Sequence, residues 1–211
     1  DRLSYTTIYR WLGQRKLAGF SRKTHLRRRG KRIQTRNANY NTIHPDHRIE
    51  DWPEEIRNRV RIGDWEGDTI YGGVGKGFVA TMVDRKSRYL VAARVLTRRP
   101  DETASAIYKA LDELPVKSIS LDNGSEFSLF RQMEEHFKAP IYFAKPHAPW
   151  QRGTNENTNG LLRFFFPKGF DFRTISDDDI SKVIDLLNHR PRKCLHWKTP
   201  AEVFFEGVAL D

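Results

Sequence analysis

Residues 64–96, with the sequence DWEGDTIYGGVGKGFVATMVDRKSRYLVAARVL, decide the fold. The runs 64–71, 78–84 and 88–96 are rich in β-branched and aromatic residues, which is typical of strands. A glycine-rich turn, GGVGKG, separates the first run from the second, and the short polar turn RKS separates the second from the third. Because such short connections join antiparallel neighbours, this stretch predicts a three-stranded antiparallel meander.

Segments with helical and strand-like patterning alternate after this meander. In chain order they are a helix at 101–114, a strand at 116–122, a helix at 125–137, a strand at 140–145, and helices at 154–166 and 176–190. Strands that alternate with helices are typical of right-handed parallel crossovers. We therefore expect an α/β fold in which a mixed five-stranded sheet is flanked by helices.

The positive charge of the chain is concentrated near its N-terminus. The 211 residues include 37 Lys and Arg and 27 Asp and Glu, a formal net charge of +10. The segment 22–36 holds eight of the basic residues and no acid, so the remaining residues carry only +2. We interpret this segment as a contact with the DNA backbone, with a solvated arm as the alternative. The candidate contacts are Arg22, Lys23, Arg27, Arg28, Arg29, Lys31 and Arg32.

A domain boundary is predicted after residue 60. Residues 4–19 have the apolar spacing of a helix capped by Ser4, and residues 37–55 are polar and proline-containing, which is typical of a linker. We therefore expect a basic N-terminal segment at 1–60 and a globular domain at 61–211. Because the first residue is not Met, a fragment of a longer protein is one interpretation of the chain.

The composition argues against several classes of protein. With Cys194 as its single cysteine, the chain forms no intramolecular disulfide, which fits a reducing compartment such as the cytoplasm. No apolar run approaches the roughly 20 residues of a membrane span, so no membrane segment is expected. The GGVGKG turn lacks the spacing and the final Ser or Thr of a phosphate-binding P-loop.

Three carboxylates are candidates for a metal site. Asp68 lies within the first predicted strand and Asp122 ends the fourth, and ligands of open α/β sheets gather at the carboxyl ends of strands. Glu156 follows 34 positions after Asp122, on the helix predicted at 154–166. Three carboxylates in one place repel one another and require cations, and their oxygens suit Mg²⁺ or Mn²⁺.

Such a cluster in a basic protein predicts phosphoryl transfer on nucleic acid. Two divalent ions held by carboxylates stabilise both the attacking and the leaving oxygen of a phosphodiester. Taken singly, each motif has an ordinary explanation: WEGD as a strand end, DNGSEF as a turn, and RGTNENTNG as a capped helix start. Arg152, Asn159 and Arg163 lie at −4, +3 and +7 from Glu156, roughly on its helix face, and are interpreted as contacts to phosphates or bases, with solvation as the alternative.

The motifs WEGD, LDNGSEF and RGTNENTNG resemble the three blocks of DDE transposases and retroviral-type integrases. In detail the chain resembles the insertion-sequence-thirty family of transposases over roughly residues 1–206, including the long block PHAPWQRGTNENTNGLLRFFFPKG. This resemblance implies a ribonuclease-H-like fold, with the triad carried over onto Asp68, Asp122 and Glu156. Members of the family usually have helix-turn-helix elements before the core, and this chain is expected to keep only the tail of one, near Ser4–Trp11.

The resemblance also implies a reaction. The protein is expected to nick double-stranded DNA at transposon ends and to join the freed 3′-hydroxyl to target DNA, with two Mg²⁺ or Mn²⁺ ions at the triad. Since two DNA ends must be held together, a homodimer or larger assembly on DNA is expected, in a bacterial cytoplasm and associated with the nucleoid. The alternatives are a metal-dependent nuclease of the same fold and a catalytically silent DNA-binding protein.

Overall fold

Helices cover both faces of one mixed sheet in the computed structural model, which describes residues 3–26, 43–145 and 148–210. The strands are β1 (His47–Arg48), β2 (Asp64–Tyr71), β3 (Phe78–Asp84), β4 (Leu90–Val95), β5 (Ser118–Leu121) and β6 (Ile141–Phe143). The helices are α1 (Tyr5–Gly13), α2 (Arg22–His25), α3 (Glu54–Asn58), α4 (Pro100–Ala110), α5 (Phe130–Phe137), α6 (Gly153–Phe165), α7 (Asp177–Asn188) and α8 (Pro200–Val208).

The predicted meander is present. Strand β2 pairs antiparallel with β3, and β3 pairs antiparallel with β4. Strands β5 and β6 extend the opposite side of β2 in parallel, so the sheet order is β1-β6-β5-β2-β3-β4. The sheet has six strands and not the five expected, because the two-residue β1 pairs with the edge of β6. A two-residue strand is too short to show the alternation of apolar and polar residues by which strands are predicted from sequence.

Strand β3 shows how the sheet separates two hydrophobic cores. Phe78, Ala80 and Met82 pack in a cluster with residues of α4, α5 and α8. Val79 and Val83 face the opposite way, into a cluster with residues of α6 and α7. This alternation follows from the two-residue period of a strand. Helix α6, which carries Glu156, therefore lies on the face opposite α4 and α5.

The prediction of a linker at 37–55 is wrong for residues 43–55, the part of this range that the structure describes. Residues 47–58 form β1, a 3₁₀ turn and α3, and this segment buries Ile49, Trp52 and Ile56. These three side chains cluster with Tyr142 and Ala144 at the end of β6. Three large apolar residues supply enough burial to dock a segment whose elements are individually too short to predict. The chain divides into two compact units, Asp1–Tyr40 and Asn41–Asp211.

The first unit contains α1 and α2. Ser4 caps α1 as expected, its hydroxyl accepting the Thr7 N–H at 3.3 Å, although the helix ends at Gly13 and not near Gly19. Arg22 and Lys23 lie in α2 and are exposed. The other candidate DNA contacts of this segment, Arg27, Arg28, Arg29, Lys31 and Arg32, lie outside the described residues. Among the described helices, none has the length and apolar character to cross a membrane.

Candidate active site

Strand register brings Asp68 and Asp122 to the same level of the sheet. Strands β2 and β5 run parallel, and their last paired residues are Glu66 and Ser120. Asp68 and Asp122 each lie two positions beyond this pair, so their side chains lie on the same face of the sheet. Sequence reasoning predicted this juxtaposition from the neighbouring positions of the two strands.

Arg152 joins the two carboxylates. Its guanidinium lies 3.2 Å from Asp68 Oδ2 and 3.4 Å from Asp122 Oδ2, and it also donates to the Gly67 carbonyl at 2.6 Å. The arginine is 8% exposed, whereas the Asp68 and Asp122 side chains are 24% and 43% exposed. Two carboxylates thus converge on one cationic group at an opening of the surface.

The two aspartates use their oxygens in the same way. Asp68 Oδ1 accepts the Thr69 N–H at 2.8 Å, and Asp122 Oδ1 accepts the Gly124 N–H at 2.9 Å. In each residue this leaves Oδ2 directed at Arg152. Burial raises the pKa of Asp68, the Arg152 charge opposes this rise, and the negative charge of Asp122 adds to it. An acid pair of this kind is stabilised by a cation between its members.

Helix α6 supplies the third contact to Asp68. The Asn159 side-chain amide donates to Asp68 Oδ2 at 2.9 Å, while its Oδ1 accepts the Thr81 hydroxyl at 3.3 Å. The Thr81 hydroxyl also lies 3.3 Å from the Asp68 carbonyl oxygen, so its one proton is shared between that oxygen and the Asn159 amide. Sequence analysis assigned Asn159 to DNA and did not identify Thr81, because a buried threonine in the middle of a strand has no distinctive sequence signal.

Glu156 is not brought into this group. Its side chain is exposed, and it makes no hydrogen bond or ion pair with the described residues. At about 100° per residue, Glu156 lies about 20° around the helix from Arg163 and about 60° from Asn159. Arg163 donates to the Tyr71 carbonyl at 2.9 Å, so this face of α6 is turned toward β2. Within the described residues, no group of three or more His, Cys, Asp or Glu side chains is arranged to hold a metal ion.

A buried ion pair anchors the N-terminus of α6. Glu66 and Arg85 are 0% and 4% exposed and form a salt bridge, and Glu66 Oε2 accepts the Asn155 N–H at 3.3 Å. The Arg85 guanidinium also donates to the Ile56 carbonyl at 3.2 Å and lies 3.9 Å from the Trp52 ring centre. A carboxylate at a helix N-terminus stabilises the helix through its dipole. Glu66 therefore positions the helix that carries Asn159 and Glu156.

A second acid near Asp122 escaped sequence analysis as a functional residue. Glu126 is 4% exposed, accepts three hydrogen bonds from Arg98 at 3.1, 3.2 and 2.9 Å, and accepts the Thr69 hydroxyl at 3.2 Å. A Cβ on Gly124 would lie 2.8 Å from Glu126 Oε2 and 2.9 Å from Asp122 Oδ1. The glycine of DNGSEF is therefore needed for the close approach of the two acids, in addition to its role in a turn.

Comparisons with known proteins agree with this architecture. The family model of the integrase core domain matches residues 61–149. The transposase for insertion sequence element IS4351 of Bacteroides fragilis is 36% identical over 207 residues, which cover 96% of this chain and 64% of that protein. Transposase InsI for insertion sequence element IS30A of Escherichia coli K12 is 36% identical over 221 residues, covering 99% and 57%. The chain thus spans 57–64% of the length of these curated relatives.

A solved structure shares the fold. The crystal structure of the catalytic core domain of BIV integrase superposes with a TM-score of 0.57 at 18% identity, covering 70% of this chain and 97% of that one. Retroviral integrase cores have the ribonuclease-H-like fold, and the expected fold class is therefore confirmed.

Proposed function

Because this chain belongs to the IS30 family of transposases, we propose that it cleaves DNA at transposon ends and joins the freed 3′-hydroxyl to target DNA. The observation that carries the proposal is the convergence of Asp68 Oδ2 and Asp122 Oδ2 on one cation position, with Asp68 within β2 and Asp122 directly after the neighbouring parallel strand β5. This is the arrangement from which acidic residues hold divalent ions for phosphodiester chemistry.

The residues present fit a divalent cation. Both Oδ1 atoms accept backbone N–H groups, and both Oδ2 atoms already face a positive charge, that of Arg152. Hard carboxylate oxygens are the ligands that Mg²⁺ and Mn²⁺ prefer. We assign Asp68 and Asp122 as the residues that would hold the metal, with Glu156 as a third ligand carried over from the family resemblance. Two such ions, when bound, supply stabilisation of the attacking and leaving oxygens.

The side chains around the aspartates have separate roles in this proposal. Asn159 keeps Asp68 Oδ2 directed into the site, and the Glu66–Arg85 pair holds the start of α6 against β2. Arg152 neutralises the charge of the two aspartates. Arg163 is proposed to contact DNA phosphates beside the site. Arg22 and Lys23, which are exposed in the first unit, are proposed to contact DNA as well.

Assembly is part of the same proposal. Joining two transposon ends to one target requires two active sites held together, so we expect a homodimer or larger complex on double-stranded DNA. Transesterification replaces one phosphodiester by another, and therefore no high-energy cofactor is required.

Strand joining tests the proposal. Wild-type protein, Glu156→Gln and the control Glu135→Gln are incubated in Mn²⁺ with supercoiled plasmid and short duplexes that have free 3′-hydroxyls. Glu135 is exposed on α5, on the opposite face of the sheet from α6. We expect joined products from the wild type and Glu135→Gln, and none from Glu156→Gln. Nicking without joining would indicate a nuclease, and DNA binding without either reaction would indicate a silent DNA-binding protein.

A further inference from the structure

A second basic site lies beside α6, apart from the aspartates. A cavity with a volume of about 330 Å³ is lined by side chains of Arg59, Arg88 and Arg192 and by the first residues of the helix, Gly153 and Thr154. This volume is many times the roughly 30 Å³ that one water molecule takes up in the liquid. None of the described residues that line it is aromatic or acidic.

The three arginines come from three different parts of the fold. Arg59 follows α3, Arg88 lies in the turn between β3 and β4, and Arg192 follows α7. Arg59 and Arg88 both have left-handed backbone conformations, with φ of 57° and 66°. That conformation is unfavourable for a residue with a Cβ, so it is maintained here by the surrounding structure.

The positive charge of this cavity is not balanced by acids. Among the described residues, Arg59, Arg88 and Arg192 make no ion pair, and Arg59 and Arg88 donate to the same Thr154 hydroxyl oxygen, at 3.1 and 2.8 Å. Arg192 donates to the Leu187 carbonyl at 3.2 Å, and its buried Nε has no hydrogen-bond partner within the described parts of the chain. Burial and the nearby charge of Arg190 lower the pKa of Arg192. Guanidinium groups gathered in this way favour a bound oxyanion.

The start of α6 adds to the positive electrostatic potential of the cavity. The N-terminus of this 13-residue helix carries the positive end of its dipole, which the Glu66 carboxylate offsets in part by accepting the Asn155 N–H. Apart from its chain neighbours and the helix backbone, no described atom lies within 4 Å of the position that a Cβ on Gly153 would occupy, so a ligand can approach the helix at this residue.

We propose that the cavity lined by Arg59, Arg88 and Arg192 binds a phosphate group of the DNA backbone. Because the described lining consists of arginines and small polar residues and offers no aromatic surface for a base, recognition is of phosphate and not of sequence. The identity of the ligand as DNA rests on the proposed function, whereas the oxyanion chemistry rests on the cavity alone. A phosphate held here contacts the same helix that carries Glu156, so DNA would bind α6 at its start as well as along its active-site face.

Cys194 provides a reporter for this site. It is the single cysteine of the chain, it is exposed, and it lines the cavity. Alkylation by neutral iodoacetamide is measured with and without a short duplex, without divalent metal, while fluorescence anisotropy records duplex binding. Protection is expressed as the ratio of the alkylation rates without and with duplex, because this ratio cancels any direct effect of a substitution on thiol reactivity. The variants are Arg192→Gln, the charge-conserving Arg192→Lys, and the control Arg131→Gln, which removes an exposed arginine from α5.

We expect the duplex to protect Cys194 in the wild type, in Arg192→Lys and in Arg131→Gln. In Arg192→Gln, protection is lost, duplex affinity falls about tenfold, and the slope of log affinity against log salt decreases by up to about 0.9. Duplex binding that leaves Cys194 unprotected would overturn the phosphate site and leave the proposed function intact. If the wild type binds no duplex, the proposed function fails, and Cys194 alkylation is then measured with inorganic pyrophosphate in place of the duplex. Protection of Cys194 by pyrophosphate that is lost in Arg192→Gln would support the oxyanion site. An absence of protection in the wild type would overturn it.

Discussion

Replacing Arg85 with Met is expected to destabilise the protein strongly. The Arg85 and Glu66 side chains are 4% and 1% exposed, and their ion pair lies between α3, β2 and the start of α6. Met keeps much of the aliphatic bulk of Arg85 but removes the charge. Glu66 is then left buried, with the Asn155 N–H as its remaining hydrogen-bond donor among the described residues.

The size of the effect follows from this burial. Breaking a buried ion pair by removing one partner costs about 3–5 kcal/mol, because the other charge stays buried without compensation. A surface ion pair contributes about 0–1 kcal/mol. The double variant Arg85→Met with Glu66→Gln removes both charges and should recover most of the loss. We therefore predict a coupling free energy of at least about 2 kcal/mol between the two positions.

Urea unfolding of both single variants and of the double variant measures this coupling. The matched control is Arg131→Met, because Arg131 also pairs with a carboxylate, that of Asp46, and lies 5.5 Å from the Phe130 ring centre. Arg131 is 67% exposed, so its replacement should change the free energy of unfolding by less than about 1 kcal/mol. Equal effects of Arg85→Met and Arg131→Met would refute the conclusion that the buried pair anchors α6.

Three further changes test the geometry around the aspartates. Asn159→Ala removes the amide hydrogen bond to Asp68, and such a bond to a charged group contributes about 1.5–3 kcal/mol. The rate of strand joining should therefore fall about tenfold or more, with the melting temperature nearly unchanged. An undiminished rate would rule out the orienting role of Asn159. Gly124→Ala places a Cβ too close to Glu126 Oε2 and Asp122 Oδ1, so the free energy of unfolding, measured by urea titration, should fall by about 1–3 kcal/mol. A variant as stable as the wild type would contradict the turn geometry. Burial raises the pKa of Asp68 above 3.8, so its protonated form is favoured in the folded state and stability decreases as pH rises from 3.8 through the raised pKa. Asp68→Asn should accordingly be more stable than wild type at about pH 7 and similar to it near pH 3, and a less stable variant at neutral pH would contradict this sign.

The strands were the most predictable part of the fold. The runs predicted at 64–71 and 78–84 coincide with β2 and β3, because each is bounded by a short turn and alternates its side chains between two cores. Segment 47–58 was not predicted, since its two-residue strand and five-residue helix are too short for periodicity. Their structure depends on packing of Trp52 and Ile56 against distant residues.

The candidate site was predictable where strand order decided it. Parallel pairing of β2 with β5 is enough to place Asp68 beside Asp122. The position of Arg152 between them was not predictable, because it depends on the path of the chain from β6 into α6. The same holds for the buried Glu126, whose partner Arg98 is exposed and lies 28 positions away in the sequence.

Metal binding at the aspartates tests the central claim most directly. Mn²⁺ is titrated into wild-type protein, Asp122→Asn and the control Glu135→Gln in the presence of a short duplex, and electron paramagnetic resonance measures the free ion. The account predicts specific Mn²⁺ binding by the wild type and by Glu135→Gln. It predicts at least about tenfold weaker binding by Asp122→Asn, since one of the two converging carboxylates is removed. Binding by Asp122→Asn with wild-type affinity would contradict the assignment of Asp68 and Asp122 as the shared cation site.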